Sequence, residues 1–397
     1  MTWGSSTAEG FAVALPRSAF ALTGSSLRWW TGAVHAIEGE RDVISELGNA
    51  RRRRVGSAFV GMVVLLAVAA CGTVVGQPAS PGTAASGTAY APLVQQLTDE
   101  VSETEAFTHL TALQKIADEN GGNRAAGTRG YDASVEYVAG VLRTIGFEVG
   151  TPTYEASGDG DSGGSGQGRN VIAETRTGDA GQVVLIGAHL DSVQEGPGIV
   201  DNGSGVATLL EIATRLGPDP AVTNKVRFAF FGHEEVGLDG STGYVESLSS
   251  ADLEKIKLYL NVDMVASPNG GYIVQGGKGS DVEQTGPPGS GTIAQVLADR
   301  LIESGVRSPE ITEFVGDDET AFVEAGIPAG GAENGDAKKK TAAQAEAWGG
   351  EAGQVYDPCY HKACDRIENV NRTVLGHYLK ALAGTLAHFA TSTEPLR

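Results

Sequence analysis

Residues 183–192 read Val183-Val184-Leu185-Ile186-Gly187-Ala188-His189-Leu190-Asp191-Ser192. A nearly unbroken apolar run that ends in a histidine and an acid reads as a strand buried on both faces, with its polar end at the edge of a sheet. Two further runs are built alike. One is Val226-Arg227-Phe228-Ala229-Phe230-Phe231, followed by Gly232-His233-Glu234-Glu235-Val236-Gly237; the other is Ile256-Lys257-Leu258-Tyr259-Leu260-Asn261-Val262, followed by Asp263-Met264. Around them apolar residues recur at three- and four-residue spacing, which predicts two helices between Pro92 and Ala117 and others over Tyr131–Ile145, Gly205–Leu216, Gly243–Leu248, Thr292–Ser304, Ala321–Ala325 and Arg372–Ala390. Buried strands alternating with amphipathic helices predict an α/β fold: a single domain with a central mixed, largely parallel sheet, helices on both faces and the functional groups at the strand ends. The glycine- and aspartate-rich stretch Gly158–Gly168 is expected to be a loop.

Composition narrows the classes of function. Of 397 residues 41% are hydrophobic and 20% charged, the balance of a globular chain. Forty-nine acidic against 29 basic side chains give a formal charge of −20, which disfavours nucleic acid and anionic lipid as partners and supplies hard oxygen ligands for cations. Three cysteines are too few for a disulfide-built scaffold.

The front of the chain reads as an address. Arg51-Arg52-Arg53-Arg54 precedes sixteen uncharged, mostly apolar residues, Val55–Ala70, that end at Cys71. At about 1.5 Å per residue the run spans roughly 24 Å, short of the roughly 30 Å hydrocarbon core, so an export signal fits better than a membrane anchor. Val68-Ala69-Ala70-Cys71 has the form of a lipobox, with Cys71 as the lipidation site. The expected organisation is therefore residues 1–42 untranslated or unstructured, with translation starting near Val43, then a lipoprotein-type signal peptide over 43–70, a flexible Gly/Ala/Ser/Thr/Pro tether over 71–91 and a single folded domain over 92–393. The mature protein is expected outside the cytoplasm, at the extracellular face of the membrane or secreted. Without residues 1–70 it carries 22 basic and 44 acidic side chains.

Each polar strand end taken alone has an ordinary reading: His189 as a satisfied core histidine, Asp191 as a loop residue, Asp201 as a helix cap. Together they are harder to dismiss, because His189 with Asp191, Glu234 with Glu235, and Asp263 all fall at one edge of the predicted sheet. His189 and Asp191 lie two residues apart and share a face of an extended segment, so the Asp191 carboxylate is placed to take one imidazole N–H and orient the other nitrogen toward a metal. Asp201 sits in Asp201-Asn202-Gly203-Ser204-Gly205 before a helix. Adjacent carboxylates after a buried run are costly unless something positive binds there, and Glu234 and Glu235 divide naturally into a metal ligand and a proton acceptor for water. In Asp357-Pro358-Cys359-Tyr360-His361-Lys362-Ala363-Cys364-Asp365 a disulfide between Cys359 and Cys364 suits an oxidising compartment, with a two-cysteine metal site as the rival reading. His233 is either a support of the site or simply exposed.

Seven ordered motifs carry a resemblance: Gly122-Asn123-Arg124 through Tyr131, the His189-Leu190-Asp191 segment, Asp201–Gly205, Gly232–Ser241, Asn261–Met264, Gly326–Gly331, and Ala347–Gly350 through His361. Over roughly Pro92–Ala390 the chain resembles the secreted co-catalytic di-zinc aminopeptidases of the Streptomyces leucyl aminopeptidase type. The resemblance implies the zinc-dependent exopeptidase fold and two zinc ions per chain, one held by His189 and Asp263, the other by Glu235 and His361, with Asp201 bridging. It implies Glu234 as general base, Tyr360 as a stabiliser of the tetrahedral intermediate and Asp191 as the orienter of the histidine ligand. The substrates implied are peptides with a free amino terminus, preferentially leucine or another large apolar residue, cleaved by a monomer that meets the membrane only through its N-terminal lipid. A calcium ion is left open. Gly316-Asp317-Asp318-Glu319 departs from the arginine-serine-aspartate-histidine stretch frequent in relatives, which removes an arginine contact to substrate. The rivals are a glutaminyl cyclase on the same fold and a non-catalytic surface binding lipoprotein.

Overall fold

The computed structural model describes residues 91–157, 166–278 and 285–396. The predicted signal peptide and the tether up to residue 90, with Cys71, lie outside the described residues; Ala91, placed at the end of the tether, instead opens the first helix. In chain order the described strands are β1 (Glu148–Gly150), β2 (Thr153–Ala156), β3 (Gly166–Arg169), β4 (Val171–Glu174), β5 (Asp179–His189), β6 (Asn224–Phe231), β7 (Ile256–Asp263), β8 (Ile273–Gln275), β9 (Glu310–Thr312) and β10 (Ala329–Glu333). The helices are α1 (Ala91–Glu100), α2 (Glu103–Glu119), α3 (Arg129–Ile145), α4 (Gly203–Leu216), α5 (Asp239–Ser247), α6 (Ser250–Leu253), α7 (Ser290–Glu303), α8 (Glu319–Glu324), α9 (Ala342–Trp348) and α10 (Arg372–Thr391).

The three apolar runs become β5, β6 and β7, the middle of an eight-stranded sheet with order β1-β4-β6-β5-β7-β10-β8-β9. β6, β5, β7 and β10 are parallel, so their carboxyl ends reach one edge. β4 and β8 flank this block antiparallel to it, which makes the sheet mixed. The side-chain period of two sorts β5 between two cores: Val184, Ile186 and Ala188 join a large cluster with residues of α1 to α4, α7 and α10, while Val183 and Leu185 join a smaller one with α5 and α8. Helices therefore cover both faces, as a sheet buried on both sides requires. No helix among the described residues is long and apolar enough to cross a membrane.

Two expectations need correcting. Part of Gly158–Gly168 is not loop, because Gly166–Arg169 is β3 and pairs antiparallel with β2 in a separate two-stranded sheet; residues 158–165 lie outside the described residues. The strand β10, Ala-Gly-Gly-Ala-Glu, has no β-branched residue and escaped the apolar-run criterion, yet it is buried throughout. Its sequence answers to packing: a Cβ on Gly330 would lie 2.5 Å from Ile293 of α7.

The start of α4 shows how the fold presents its loops. Asn202, not Asp201, is the cap, its side chain accepting from Gly205 N at 2.9 Å and donating to Val262 O at 2.8 Å. A Cβ on Gly205 would meet that Val262 oxygen at 2.5 Å, so only glycine lets the helix start this close to β7. With Asn202 occupied as the cap, the preceding Asp201 side chain is released toward the sheet edge.

Candidate metal centre

β5 ends on His189, 2% exposed, and its Nε2 lies 3.2 Å from Asp201 Oδ1 and 3.5 Å from Asp263 Oδ1, the last residue of β7. The other Asp201 oxygen lies 3.1 Å from His361 Nε2, which is 3.0 Å from Glu235 Oε2 in the turn after β6. Two groups result, His189/Asp201/Asp263 and Asp201/Glu235/His361, each with donor atoms within 4.8 Å of one another and Asp201 common to both. Glu234 Oε2 stands 3.9 Å from His189 Nε2. All five predicted ligands and the predicted base thus come together at one edge.

The donor set suits zinc: imidazole nitrogens and carboxylate oxygens. Glu235 Oε1 and Asp263 Oδ1 are buried without a hydrogen-bond partner, an arrangement that a cation would satisfy. The electrostatics point the same way. Burial pushes Glu235 from an ordinary 4.5 up to about 7 and Glu234 well above its ordinary value. Burial should lower the histidines, but the facing carboxylates outweigh it and raise His361 to about 10 and His189 well above its ordinary value. Burial likewise opposes charge on Asp201, yet the two imidazoles hold its carboxyl below the usual carboxylate range.

The turns that carry these groups use backbone conformations that most residues avoid. His233 (φ 57°), Met264 (φ 47°) and His361 (φ 54°) are left-handed non-glycine residues at or beside Glu234, Asp263 and His361. Such positions cost on the order of 1–3 kcal/mol each and persist where surrounding contacts impose them. His233 is not exposed: it is buried, and its Nδ1 lies 2.7 Å from the Tyr154 hydroxyl on β2. Asp191 is fully buried, but its carboxylate is 3.7 Å from His189 Nδ1, whereas its main-chain carbonyl is 3.2 Å away. The carbonyl, not the carboxylate, is the nearer partner, and Asp191 Oδ1 accepts from Glu234 N at 3.3 Å, tying the ends of β5 and β6 together. Cys359 and Cys364 are disulfide-bonded to each other, which rules out a two-cysteine metal site. The Tyr360 ring stacks on His361 with centroids 3.8 Å apart.

Sequence reasoning missed the residues that brace this arrangement. Arg124 is wholly buried and its guanidinium donates to three main-chain oxygens of the loop between His189 and Asp201: Leu190, Pro197 at 2.9 Å and Gly198 at 2.5 Å. Asp365 accepts from Val200 N at 2.9 Å and Asp201 N at 3.0 Å, locking the disulfide loop onto the Asp201 segment. Arg124 lay within a quoted motif and Asp365 ended another, but one arginine or one aspartate in a sequence does not show which carbonyls or amides it will meet.

Comparison with known proteins follows the same outline. The family model described as peptidase family M28 matches residues 170–386. Leupeptin-inactivating enzyme 1 of Streptomyces exfoliatus is 43% identical over 279 residues, 69% of this chain and 59% of that protein. The probable lipoprotein aminopeptidase LpqL of Mycobacterium tuberculosis is 45% identical over 272 residues, 66% of this chain and 54% of that protein. The chain spans about half the length of the curated relatives it matches. Among solved structures, the Bacillus subtilis zinc aminopeptidase BSAP superposes with a TM-score of 0.58 at 17% identity, covering 74% of this chain and 96% of that one. A Porphyromonas gingivalis glutaminyl cyclase superposes with a TM-score of 0.55 at 20% identity over 72% and 98%. At such identities the superpositions speak for the fold alone. With the sheet, the clustered histidines and acids, and a family match over more than half its length, the chain belongs to peptidase family M28.

Proposed function

We propose that the chain is an exported aminopeptidase that binds two zinc ions and hydrolyses the N-terminal peptide bond of peptides with a free amino terminus, large apolar residues such as leucine among them. The observation that carries this reading is the Asp201 carboxylate shared by two histidine-acid groups with the unshared acid Glu234 beside them. In this reading His189, Asp263 and Asp201 hold one ion, and Glu235, His361 and Asp201 the other. Zinc so held supplies Lewis acidity toward the scissile carbonyl and toward water.

The side chains of the protein do the rest. Glu234, its pKa well above the usual carboxylate range because burial disfavours its charge, can take a proton from water and return it to the departing amine. Burial also pushes the Tyr360 phenol up, so it keeps its proton and can donate to the oxygen of the tetrahedral carbon. Unused oxygens of Glu234 and Asp263 offset the substrate's α-ammonium. The cavity lined by these groups has a volume of about 210 Å³, below the roughly 300–1,000 Å³ of sites for drug-sized ligands, which suits the end of a peptide. Export with Cys71 lipidated fits the leader, and the Mycobacterium relative is itself described as a probable lipoprotein.

The reading sets four outcomes. The purified full chain should hold two zinc ions by elemental analysis, and Asp201→Ala should lose both together; loss of only one would break the shared-ligand assignment. Protein stripped of metal should become less stable as pH rises from about 4.5 to about 10. Glu235 (4.5 to about 7) and His361 (6.5 to about 10) both bind protons more tightly folded than unfolded, so stability declines as pH rises through those windows. Thermal unfolding across that range, with and without zinc, checks the sign, and zinc should abolish the decline because it binds the deprotonated ligands. Glu234→Gln should retain its zinc while kcat falls about 10²–10⁴-fold; loss of zinc would mean that Glu234 and Glu235 exchange roles. A leucyl peptide and its N-acetyl counterpart test the function itself: only the free amine should be cleaved, and equal turnover would indicate an endopeptidase or deacylase.

A further inference from the structure

Away from the metal centre the protein has a groove of about 800 Å³, within the roughly 300–1,000 Å³ of small-molecule sites. Its floor is one face of β1, β4 and β6, and Tyr244, Ser247 and Leu248 at the end of α5 form a side wall. Lys225, on the floor, is the second residue of β6. Phe231, at the end that leads to Glu234, lies six residues further on, about 20 Å at the rise of a strand. Groove and metal centre therefore sit at opposite ends of the same strand. Ile172 and Leu248 pack against the smaller core cluster, so the groove is apolar where its floor meets α5.

The charges of the groove do not satisfy one another. The pairing registers set Glu148, Glu174 and Arg227 in one row across β1, β4 and β6. Arg227 donates from Nη2 to Glu174 Oε2 at 3.1 Å and from Nη1 to the Tyr244 hydroxyl at 2.6 Å, but its buried Nε has no hydrogen-bond partner. Glu148, directly across from Glu174, has no ion pair among the described residues, and like charges side by side on neighbouring strands repel. Lys225, two residues before Arg227 on the same face, likewise has neither an ion pair nor a side-chain hydrogen bond among the described residues. Arg176, the remaining cation, is held by Asp219 Oδ1 and Gly146 O, at 2.9 Å each. One acid and one amine are left over, on positions that two strand spacings and two residues of rise separate by about 12 Å. An anion alone would answer Lys225 and leave Glu148 beside Glu174; a cation alone would do the reverse. A ligand that carries both charges answers both. An extended dipeptide covers about 7 Å between its termini, and the Lys225 and Glu148 side chains can reach across the rest.

We propose that this groove binds a short peptide with both termini free, its carboxylate on Lys225 beside Arg227, its ammonium on Glu148 and its apolar side chains on Ile172, Leu248 and the Tyr244 ring. Shortened peptides of this kind are also what the hydrolysis proposed above releases; that link rests on the aminopeptidase reading, whereas the binding does not. The probe is leucyl-leucine, added to the zinc-loaded full chain carrying Glu234→Gln so that the peptide persists. The readout is acetylation of Lys225 by an N-hydroxysuccinimide ester, followed by mass spectrometry. Leucyl-leucine should protect Lys225. Its N-acetyl form, which lacks the ammonium, and its C-terminal amide, which lacks the carboxylate, should each need about tenfold higher concentration for the same protection, as loss of one charge-assisted hydrogen bond gives. Glu148→Gln, a change at an exposed position of the edge strand, should weaken leucyl-leucine by a similar factor and leave the N-acetyl form unaffected. Removal of zinc should not move the protection curve. No protection by leucyl-leucine, equal protection by all three peptides, or protection that disappears with the zinc would each overturn the proposal. Protection of Lys225 without turnover of any free-amine peptide by the unaltered chain would remove the aminopeptidase reading and leave the groove assignment standing; turnover without protection would do the opposite.

Discussion

The Asp201 carboxylate, buried between two imidazole rings, is the contact on which the rest of the site depends. Because one side chain serves both histidine-acid groups, neither group can be placed without fixing the other, and the loop that delivers Asp201 must be held from several directions at once. The fold does this with groups that have no chemistry of their own to perform. Asn202 takes over the helix cap, Arg124 gathers the carbonyls of the preceding loop, and Asp365 receives the amides on either side of the Val200–Asp201 bond. Removing any of these contacts would leave a buried donor or acceptor unmet, so the brace is enforced by desolvation and not by attraction to a metal.

What the sequence revealed and what it hid divide along physical lines. The central strands were legible because Val183–Ala188, Val226–Phe231 and Ile256–Val262 are buried on both faces and therefore almost continuously apolar. The polar residues that end them stood out against that background, which is why His189, Glu234, Glu235 and Asp263 could be picked out before any geometry was known. Asp201 and His361 lie in turns and were legible through spacing and resemblance. Other strands were not: β8 and β9 have three residues each, and the first four residues of β10 are alanines and glycines, small enough for the helix packed against it. Nor could the sequence show that His233 faces Tyr154, since that contact joins residues 79 positions apart in the chain.

The site also has a consistent charge logic. Glu234, Glu235, Asp263, Asp318, Glu319 and Glu333 are all pushed above the usual carboxylate range, and burial is the leading cause in each. The buried arginine nearby, Arg124, spends its hydrogen bonds on carbonyl oxygens and so moderates this field without quenching it. Positive charge must come from elsewhere, as cations or as protons. The acidic balance of the whole chain extends the same bias and favours the approach of cations.

The ring closed by Cys359 and Cys364 is small, with a sequence separation of five. In a chain-entropy account, a cross-link this short removes little freedom from the unfolded chain, about 2 kcal/mol, less than the same bond would if it spanned a long loop. Its leverage is therefore local. Inside the ring sit Tyr360 and His361, the latter at φ 54°, and the cross-link narrows the set of shapes that could carry that imidazole elsewhere. Reduction would leave the eight-stranded sheet with most of its stability and release one donor of the Asp201/Glu235/His361 group, so that the oxidation state of two sulfur atoms bears far more on whether the site is assembled than on whether the protein is folded.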